Sequence, residues 1–175
     1  IRVSVSTFVP KPHTPFQWVA QESEERLNIK HELARTGLQR RGIRLSWQDP
    51  KISLLEAVMS RGDRRLGMAI YRAWRLGSTF DAWSEHFTYE NWLRAFEESG
   101  LDATFYAQRE RSLDEPLPWT HIDIGVTDSF LRREYNRALE GRETPDCRHQ
   151  ACNVCGLENR QADCQLKYQE LIQRK

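Results

Sequence analysis

The chain has 175 residues, enough for one sizeable domain or two small ones, and 26 basic and 25 acidic residues give a formal charge of +1. This near balance argues against a strong nonspecific binder of nucleic acid, although local basic patches remain compatible with it. No apolar run approaches the length of a membrane span and no signal-peptide pattern is present, so we expect a cytoplasmic protein.

The first nine residues alternate apolar and polar side chains, a pattern typical of a half-buried strand. The proline-rich turn Pro10–Pro15 follows directly. A lone strand leaves its backbone groups without partners, so its neighbours in a sheet must come from other sequence. We therefore expect the chain to be a fragment of a longer protein, with the neighbouring strands upstream.

Helical periodicity dominates the next part of the chain, and capping residues mark where segments begin. Asp49 before Pro50, for example, predicts a helix that ends at Gly62. We predict helices over residues 23–41, 50–61, 64–76, 89–99 and 101–111, a helical turn over residues 80–85, and a second strand over residues 43–47. The architecture is therefore mostly helical, with two or three strands that belong to a larger sheet.

One predicted helix and its approach are rich in arginine. The residues are Arg61, Arg64, Arg65, Arg72 and Arg75. Such a run of charge either solvates an exposed helix face or contacts an anion such as RNA. A helical module that binds RNA or a protein partner is therefore an alternative function for the chain.

The pattern changes at Pro116–Trp119, because two prolines exclude a helix interior there. Thr120–Val126 is predicted to be extended, which would place His121 and Asp123 on one face. There they would act as an acid/base pair or as ligands, or they would form hydrogen bonds with a structural role. Thr127 or Asp128 caps a helix predicted over residues 129–140, and a helical tail is predicted over residues 165–175.

All four cysteines lie in one stretch with the spacing C-x4-C-x2-C-x8-C; they are Cys147, Cys152, Cys155 and Cys164. The CxxC core is typical of zinc and iron–sulfur sites, because its two thiolates can bind one ion. Both metals accept four thiolates, and His149 is an alternative fourth ligand, so the sequence leaves metal and ligand set open. Two disulfides or inert thiols are the other interpretations, and a reducing compartment disfavours disulfides.

Three segments resemble parts of radical S-adenosylmethionine (SAM) proteins, and the group they resemble is the uncharacterised one with an N-terminal B12-binding-type domain. Ser4–Trp18 (SVSTFVPKPHTPFQW) is similar to a late barrel strand and the turn after it. Leu117–Val126 (LPWTHIDIGV) and the cysteine segment from Thr144 to Gly156 are similar to the C-terminal region of the same group. The order of strand, helices, W-x-H-I-D motif and cysteines fits the group as a whole.

The resemblance implies an α/β fragment, mostly helical, that contains the last strands of a partial (β/α) barrel and a helical C-terminal region with a cysteine-rich loop. Residues 1–49 would end the barrel, residues 50–115 would form a helical region, and residues 116–175 would carry the cysteine loop. The parent enzyme would use a [4Fe–4S] cluster on a C-x3-C-x2-C motif, together with SAM and cobalamin. That motif is absent from this chain, which should therefore be inactive alone.

The resemblance also implies roles for individual residues. Strand ends of such barrels carry ligand contacts, which makes Ser4, Ser6, Lys11 and His13 candidates for binding substrate or cofactor. Lys11 and His13 would otherwise belong to a solvent-exposed turn held rigid by prolines. The cysteines would hold an auxiliary cluster or zinc. Leu157 and Glu158 stand where the family would have a further cysteine, so Cys164 would have to replace it.

Overall fold

The computed structural model describes residues 1–173, apart from the side chain of Leu171. The last two residues of the predicted tail helix lie outside the described residues. Over the described part the fold is mostly helical, with seven α-helices and a small parallel sheet. Two compact units divide the chain: residues 1–11 with residues 19–111, and residues 12–18 with the chain from Ser112 onward. The three-part division into residues 1–49, 50–115 and 116–175 stays a prediction.

The first unit begins with a β–α–β arrangement. Strand β1 (Arg2–Val5) and strand β2 (Arg44–Trp47) run parallel, and helix α1 (Glu24–Leu38) connects them. His31 of α1 stacks on Trp47 with ring centroids 4.9 Å apart, so one face of the pair is covered by the helix. The second predicted strand is confirmed. The predicted first strand of nine residues is too long, because β2 offers only four residues for pairing.

Four helices follow and form the core of the first unit: α2 (Pro50–Arg61), α3 (Leu66–Arg75), α4 (Tyr89–Glu98) and α5 (Ala103–Ala107). The Asp49 side chain accepts a hydrogen bond from Lys51 N at 2.8 Å, as predicted for the cap of a helix that starts at Pro50. Small and large apolar side chains meet in one cluster, which contains Leu55, Ala57, Val58, Leu66, Ala69, Phe96, Tyr106 and Ala107.

Three local predictions are wrong. Residues 80–85 form turns because Phe80 has a φ of +58°, which a right-handed helix excludes. The helix predicted over residues 101–111 reaches only from Ala103 to Ala107. Residues 120–126 form turns instead of an extended segment, with Ile122 N donating to Trp119 O at 2.9 Å and Gly125 at a φ of +89°.

The second unit is organised around helix α6 (Asp128–Leu139). Thr127 caps this helix, because its hydroxyl accepts a hydrogen bond from Phe130 N. Phe16 and Trp18 pack against Tyr135 of α6, with ring centroids 6.1 and 5.7 Å away. The cysteine loop follows, and a short 3-10 helix (Leu157–Asn159) and helix α7 (Ala162–Gln173) come after its first three cysteines.

Membrane-spanning helices are missing from the described part of the chain, because none of its helices combines the required length with enough apolar character.

Candidate functional site

The second unit brings together two of the segments that carry the resemblance. Gln17 is buried, and its side-chain oxygen accepts hydrogen bonds from His13 N at 2.9 Å and from Trp119 Nε1 at 2.7 Å. Trp119 lies 102 residues further along the chain. Gln17 therefore fixes the proline-rich turn against the LPWTHID segment, a role that the sequence analysis did not assign to it.

A cavity of about 180 Å³ lies at this junction. Its polar lining includes His13, Thr120, Asp123 and Asp128, and the rest is mostly apolar, with Leu117, Trp119, Ile122, Val126 and Leu131. His13 has a φ of +57°, a left-handed conformation that few non-glycine residues adopt, although histidine does so more often than most. The structure thus places His13, predicted to bind substrate or cofactor, and Asp123, predicted to be catalytic, at one small cavity.

His121 and Asp123 do not share the face of an extended segment, because their segment forms turns. Asp123 accepts a hydrogen bond from Gly125 N at 2.8 Å and forms an ion pair with Arg160. The Gly125 N–H is the main cause, and Arg160 the second, of a lowered pKa for the Asp123 carboxyl. Asp123 is therefore ionised at neutral pH and suited to accept hydrogen bonds or hold a cation. His121 is exposed, and its catalytic role stays a prediction.

The other predicted ligand residues belong to the first unit. Ser4 pairs in register with Ser46 of β2, and Ser4 and Ser6 are both exposed. Lys11 Nζ contacts Glu56 Oε1 at 2.5 Å and Ser60 Oγ at 3.1 Å on α2. Ser4, Ser6 and Lys11 thus lie in one compact unit, whereas His13 belongs to the other. Their roles as substrate or cofactor ligands stay predictions.

The five arginines around α3 have different environments. Arg61 is fully buried and donates to Ala107 O at 2.6 Å and to Arg109 O at 2.9 Å, which makes it a structural residue. Arg65 pairs with Asp63, and Arg72 donates to Ser99 Oγ at 2.9 Å. Arg64 and Arg75 are exposed, which leaves them as the arginines most open to a ligand.

The CxxC segment forms a tight turn in which the backbone approaches sulfur. Val154 N donates to Cys152 Sγ at 3.4 Å, and Val154 and Gly156 both have left-handed φ values, +52° and +110°. A Cβ on Gly156 would lie 2.4 Å from Gly125 O, so this position requires glycine. Thr127 N donates to Cys155 O at 2.8 Å, which ties the turn to the start of α6.

Two cationic side chains hold the cysteine loop through its carbonyl groups. Lys167 of α7 donates to Cys147 O at 2.6 Å and to Arg148 O at 2.7 Å. Arg133 of α6 donates to Asn153 O, in the middle of the CxxC turn. No sequence pattern predicts a role for either residue, because every residue has a backbone carbonyl and the sequence does not show which ones a side chain will contact.

The other three thiols of the loop act electrostatically on the thiol of Cys164. Each cysteine is half-buried and none forms a disulfide. Partial burial raises the pKa of the Cys164 thiol, and the thiols of Cys155, Cys147 and Cys152 raise it further. Among residues 1–173, however, no three His, Cys, Asp or Glu side chains are gathered closely enough to hold a metal ion as they stand.

The chemistry of this donor set fits a soft metal. Four thiols near one another form a set that zinc and iron–sulfur clusters accept, and the CxxC turn already directs an N–H group at one sulfur. His149 is exposed, and its backbone N donates to Asp146 O at 3.1 Å. The ligand set therefore stays open between four cysteines and three cysteines with His149.

No protein-family model, curated protein or solved structure matches this chain. The resemblance to radical SAM proteins therefore depends on the quoted residues alone and stays a prediction.

Proposed function

We propose that the cysteine loop binds a zinc ion or an iron–sulfur cluster through Cys147, Cys152, Cys155 and Cys164. The observation that carries this proposal is the CxxC turn, in which Val154 N donates to Cys152 Sγ at 3.4 Å and Thr127 N donates to Cys155 O at 2.8 Å. Partial burial and then the other three thiols raise the pKa of Cys164, so thiolates gathered in this loop would repel one another. A bound cation removes that repulsion, so metal binding would drive the loop into its ligated form and release protons.

The surroundings of the loop support the same proposal. An N–H group directed at a thiolate sulfur stabilises its negative charge, and Val154 N is placed in this way against Cys152. Lys167 and Arg133 add positive charge beside a site whose ligands are anionic. The loop contributes few buried apolar side chains, so a metal would supply stability that packing does not.

We infer further that the chain is the C-terminal portion of a radical SAM protein of the B12-binding-type group. The β1–α1–β2 arrangement supports this, because a parallel pair joined by a helix is the repeating unit of (β/α) barrels. A parallel sheet of two strands is also rarely stable alone. In such a parent, the catalytic [4Fe–4S] cluster, SAM and cobalamin would be held by other parts of the protein.

The contacts between the LPWTHID segment and the proline-rich turn are also consistent with this inference. In the proposed parent, the cavity between them would bind a small polar group through His13, Thr120 and Asp123.

An anaerobic metal and sulfide analysis of the chain, with its visible spectrum, tests the metal proposal. We expect about one zinc per chain, or iron with acid-labile sulfide and a thiolate-to-iron absorption band. The double variant Cys152→Ser and Cys155→Ser should lose the metal. Comparing Cys164→Ser with His149→Gln identifies the fourth ligand, since only one of these variants should strongly lower the affinity for the metal. A chain that holds neither metal, or that holds it equally well in the double variant, would contradict the proposal.

The inference about the parent enzyme needs a separate experiment. The full-length protein, reconstituted anaerobically with iron, sulfide and SAM, should produce 5′-deoxyadenosine when it is reduced. Absence of that product would reject the radical SAM inference and leave the metal proposal standing.

A further inference from the structure

Apart from Leu66 at its start, helix α3 buries small side chains and leaves its large apolar side chains exposed. Ala69 and Ala73 are fully buried, and Leu66 is nearly so. Met68, Tyr71 and Trp74 are each more than half exposed. Exposed apolar groups of this size on one helix are typical of a binding surface. We call Arg64, Met68, Tyr71, Trp74 and Arg75 the α3 outer face.

The α3 outer face combines aromatic rings with positive charge. Tyr71 and Arg75 lie four positions apart on α3 and so share one stripe of the helix, and Arg64 lies in the turn just before the helix begins. Within the described residues neither Arg64 nor Arg75 forms an ion pair, whereas Arg65 is neutralised by Asp63. Helix α3 itself contains no acidic residue.

The two rings leave their faces open. Tyr71 and Trp74 have ring centroids 5.9 Å apart and an interplanar angle of 39°, so neither ring stacks squarely on the other. An exposed aromatic face flanked by guanidinium groups is the chemistry by which proteins bind unpaired bases and their phosphates.

We propose that the α3 outer face binds a single-stranded nucleic acid, with Tyr71 and Trp74 stacking on bases and Arg64 and Arg75 contacting phosphates. Arg64 precedes α3 and Arg75 ends it, and the ten residues of this helix rise about 15 Å at 1.5 Å per residue, a span of a few nucleotides. This site is independent of the cysteine loop and of the radical SAM inference, because all of its residues belong to the first unit.

Two other occupants fit the face less well. A second copy of this chain would bring the same unpaired arginines together, and like charges would repel. An acidic protein surface would form ion pairs with Arg64 and Arg75 but would not stack on the rings of Tyr71 and Trp74. The near-neutral net charge of the chain means that affinity must come largely from stacking, so binding should be modest and sequence-tolerant.

Fluorescence anisotropy with a labelled oligouridylate of about 12 nucleotides tests the proposal, since ssRNA sites span several nucleotides. We expect Trp74→Ala and Tyr71→Ala each to weaken binding about tenfold, the loss typical of one stacked base. The double variant Arg64→Gln and Arg75→Gln should lower the slope of log affinity against log salt by about 1.4, since each phosphate contact in a single strand contributes about 0.7. The same measurement with oligothymidylate distinguishes a site specific for RNA from one that binds single-stranded RNA and DNA alike.

The chain offers matched controls for both residue types. Trp83 is as exposed as Trp74 but lies between Asp81 and Glu85, and Arg26 is paired with Glu22. Trp83→Ala and Arg26→Gln should leave binding unchanged, and circular dichroism should show that every variant remains folded. The proposal would be overturned if Trp74→Ala and Trp83→Ala weakened oligouridylate binding equally, or if a duplex bound more tightly than the single strand. It would also be overturned if polyglutamate displaced the oligonucleotide equally well from the wild-type chain and from Tyr71→Ala.

Discussion

Different forces stabilise the core of the first unit and the cysteine loop of the second unit. The core packs apolar side chains from α2 to α5, and Val58, Ala69 and Ala107 are fully buried in it. The loop is held by hydrogen bonds from Lys167 and Arg133 to its carbonyl groups and by a tight turn around half-buried thiols. The first region can be stable through burial alone, whereas the second lacks that source and is the place where a metal would matter most.

Phe96→Ala should give the largest effect on the core. Phe96 is almost fully buried, and removing its ring creates a cavity that costs about 3 to 5 kcal/mol in the free energy of unfolding. Urea denaturation followed by circular dichroism would measure this loss. Metal content, measured on the folded variant, should stay at the wild-type level. A variant as stable as wild type would mean that the core does not carry the stability of the first unit.

Arg61 tests whether a buried cation can be part of that core. Arg61→Met should destabilise the chain by about 2 to 3 kcal/mol, because the carbonyls of Ala107 and Arg109 lose a charged donor inside the protein. Arg61→Lys should recover only part of the loss, since one ammonium cannot reproduce the geometry of the guanidinium. Arg94→Gln, at an exposed pair with Glu98, is the control and should change stability by less than about 1 kcal/mol.

Gln17 provides the corresponding test in the second unit. Gln17→Ala leaves the buried indole N–H of Trp119 without this acceptor, which should cost about 1 to 3 kcal/mol. The effect should appear in the near-ultraviolet signal of the tryptophans. Gln17→Glu keeps an acceptor. At low pH, where its carboxyl is neutral, it should lower the free energy of unfolding less than Gln17→Ala does. An unchanged unfolding midpoint in Gln17→Ala would show that this contact does not hold the segment in place.

The smallest effect concerns the reactivity of one thiol. The pKa of Cys164 is raised by partial burial and by its neighbouring thiols, so less of it is thiolate near pH 8 and alkylation by iodoacetamide should be slower than for a free thiol. The protonated form is favoured in the folded state. This contribution to stability is therefore complete below the pKa of the unfolded thiol and is lost as pH rises through the raised value.

Mass spectrometry of peptides alkylated at several pH values would measure the alkylation rate of Cys164. Replacing Cys147, Cys152 and Cys155 by serine should raise the rate at Cys164, because the neighbouring thiols that raise its pKa are removed. A rate that does not change in that variant would mean that the thiols do not interact.

The sequence predicts features that depend on neighbouring residues and misses those that depend on distant ones. The cap at Asp49, the start of α2 at Pro50 and the existence of the second strand were predictable, because capping and periodicity are local properties. The parallel pairing of β1 with β2 was not predicted, because the partners of the first strand were expected upstream. The burial of Arg61 depends on a carbonyl 46 residues away, and the role of Gln17 depends on an indole 102 residues away. No local pattern encodes either contact.

The same distinction explains the candidate sites. The CxxC spacing pointed to the cysteine loop, because the four cysteines lie close together in the sequence. Grouping five arginines around α3 as one basic face was too simple, since Arg61 turns into the core and Arg65 pairs with Asp63. The exposure of Tyr71 and Trp74 was not predicted, because helical spacing alone does not say which apolar side chains face the core. Their exposure became visible only when Ala69 and Ala73 proved to occupy the buried side.

X-ray absorption at the metal edge of the metal-loaded chain tests the central claim most directly. The account predicts a first shell of four sulfur atoms, or of three sulfur atoms and one nitrogen if His149 replaces one cysteine, and loss of that shell in the Cys152→Ser and Cys155→Ser variant. A first shell made of oxygen and nitrogen atoms, or a shell unaffected by removing these two cysteines, would contradict the claim that the cysteine loop is a metal site.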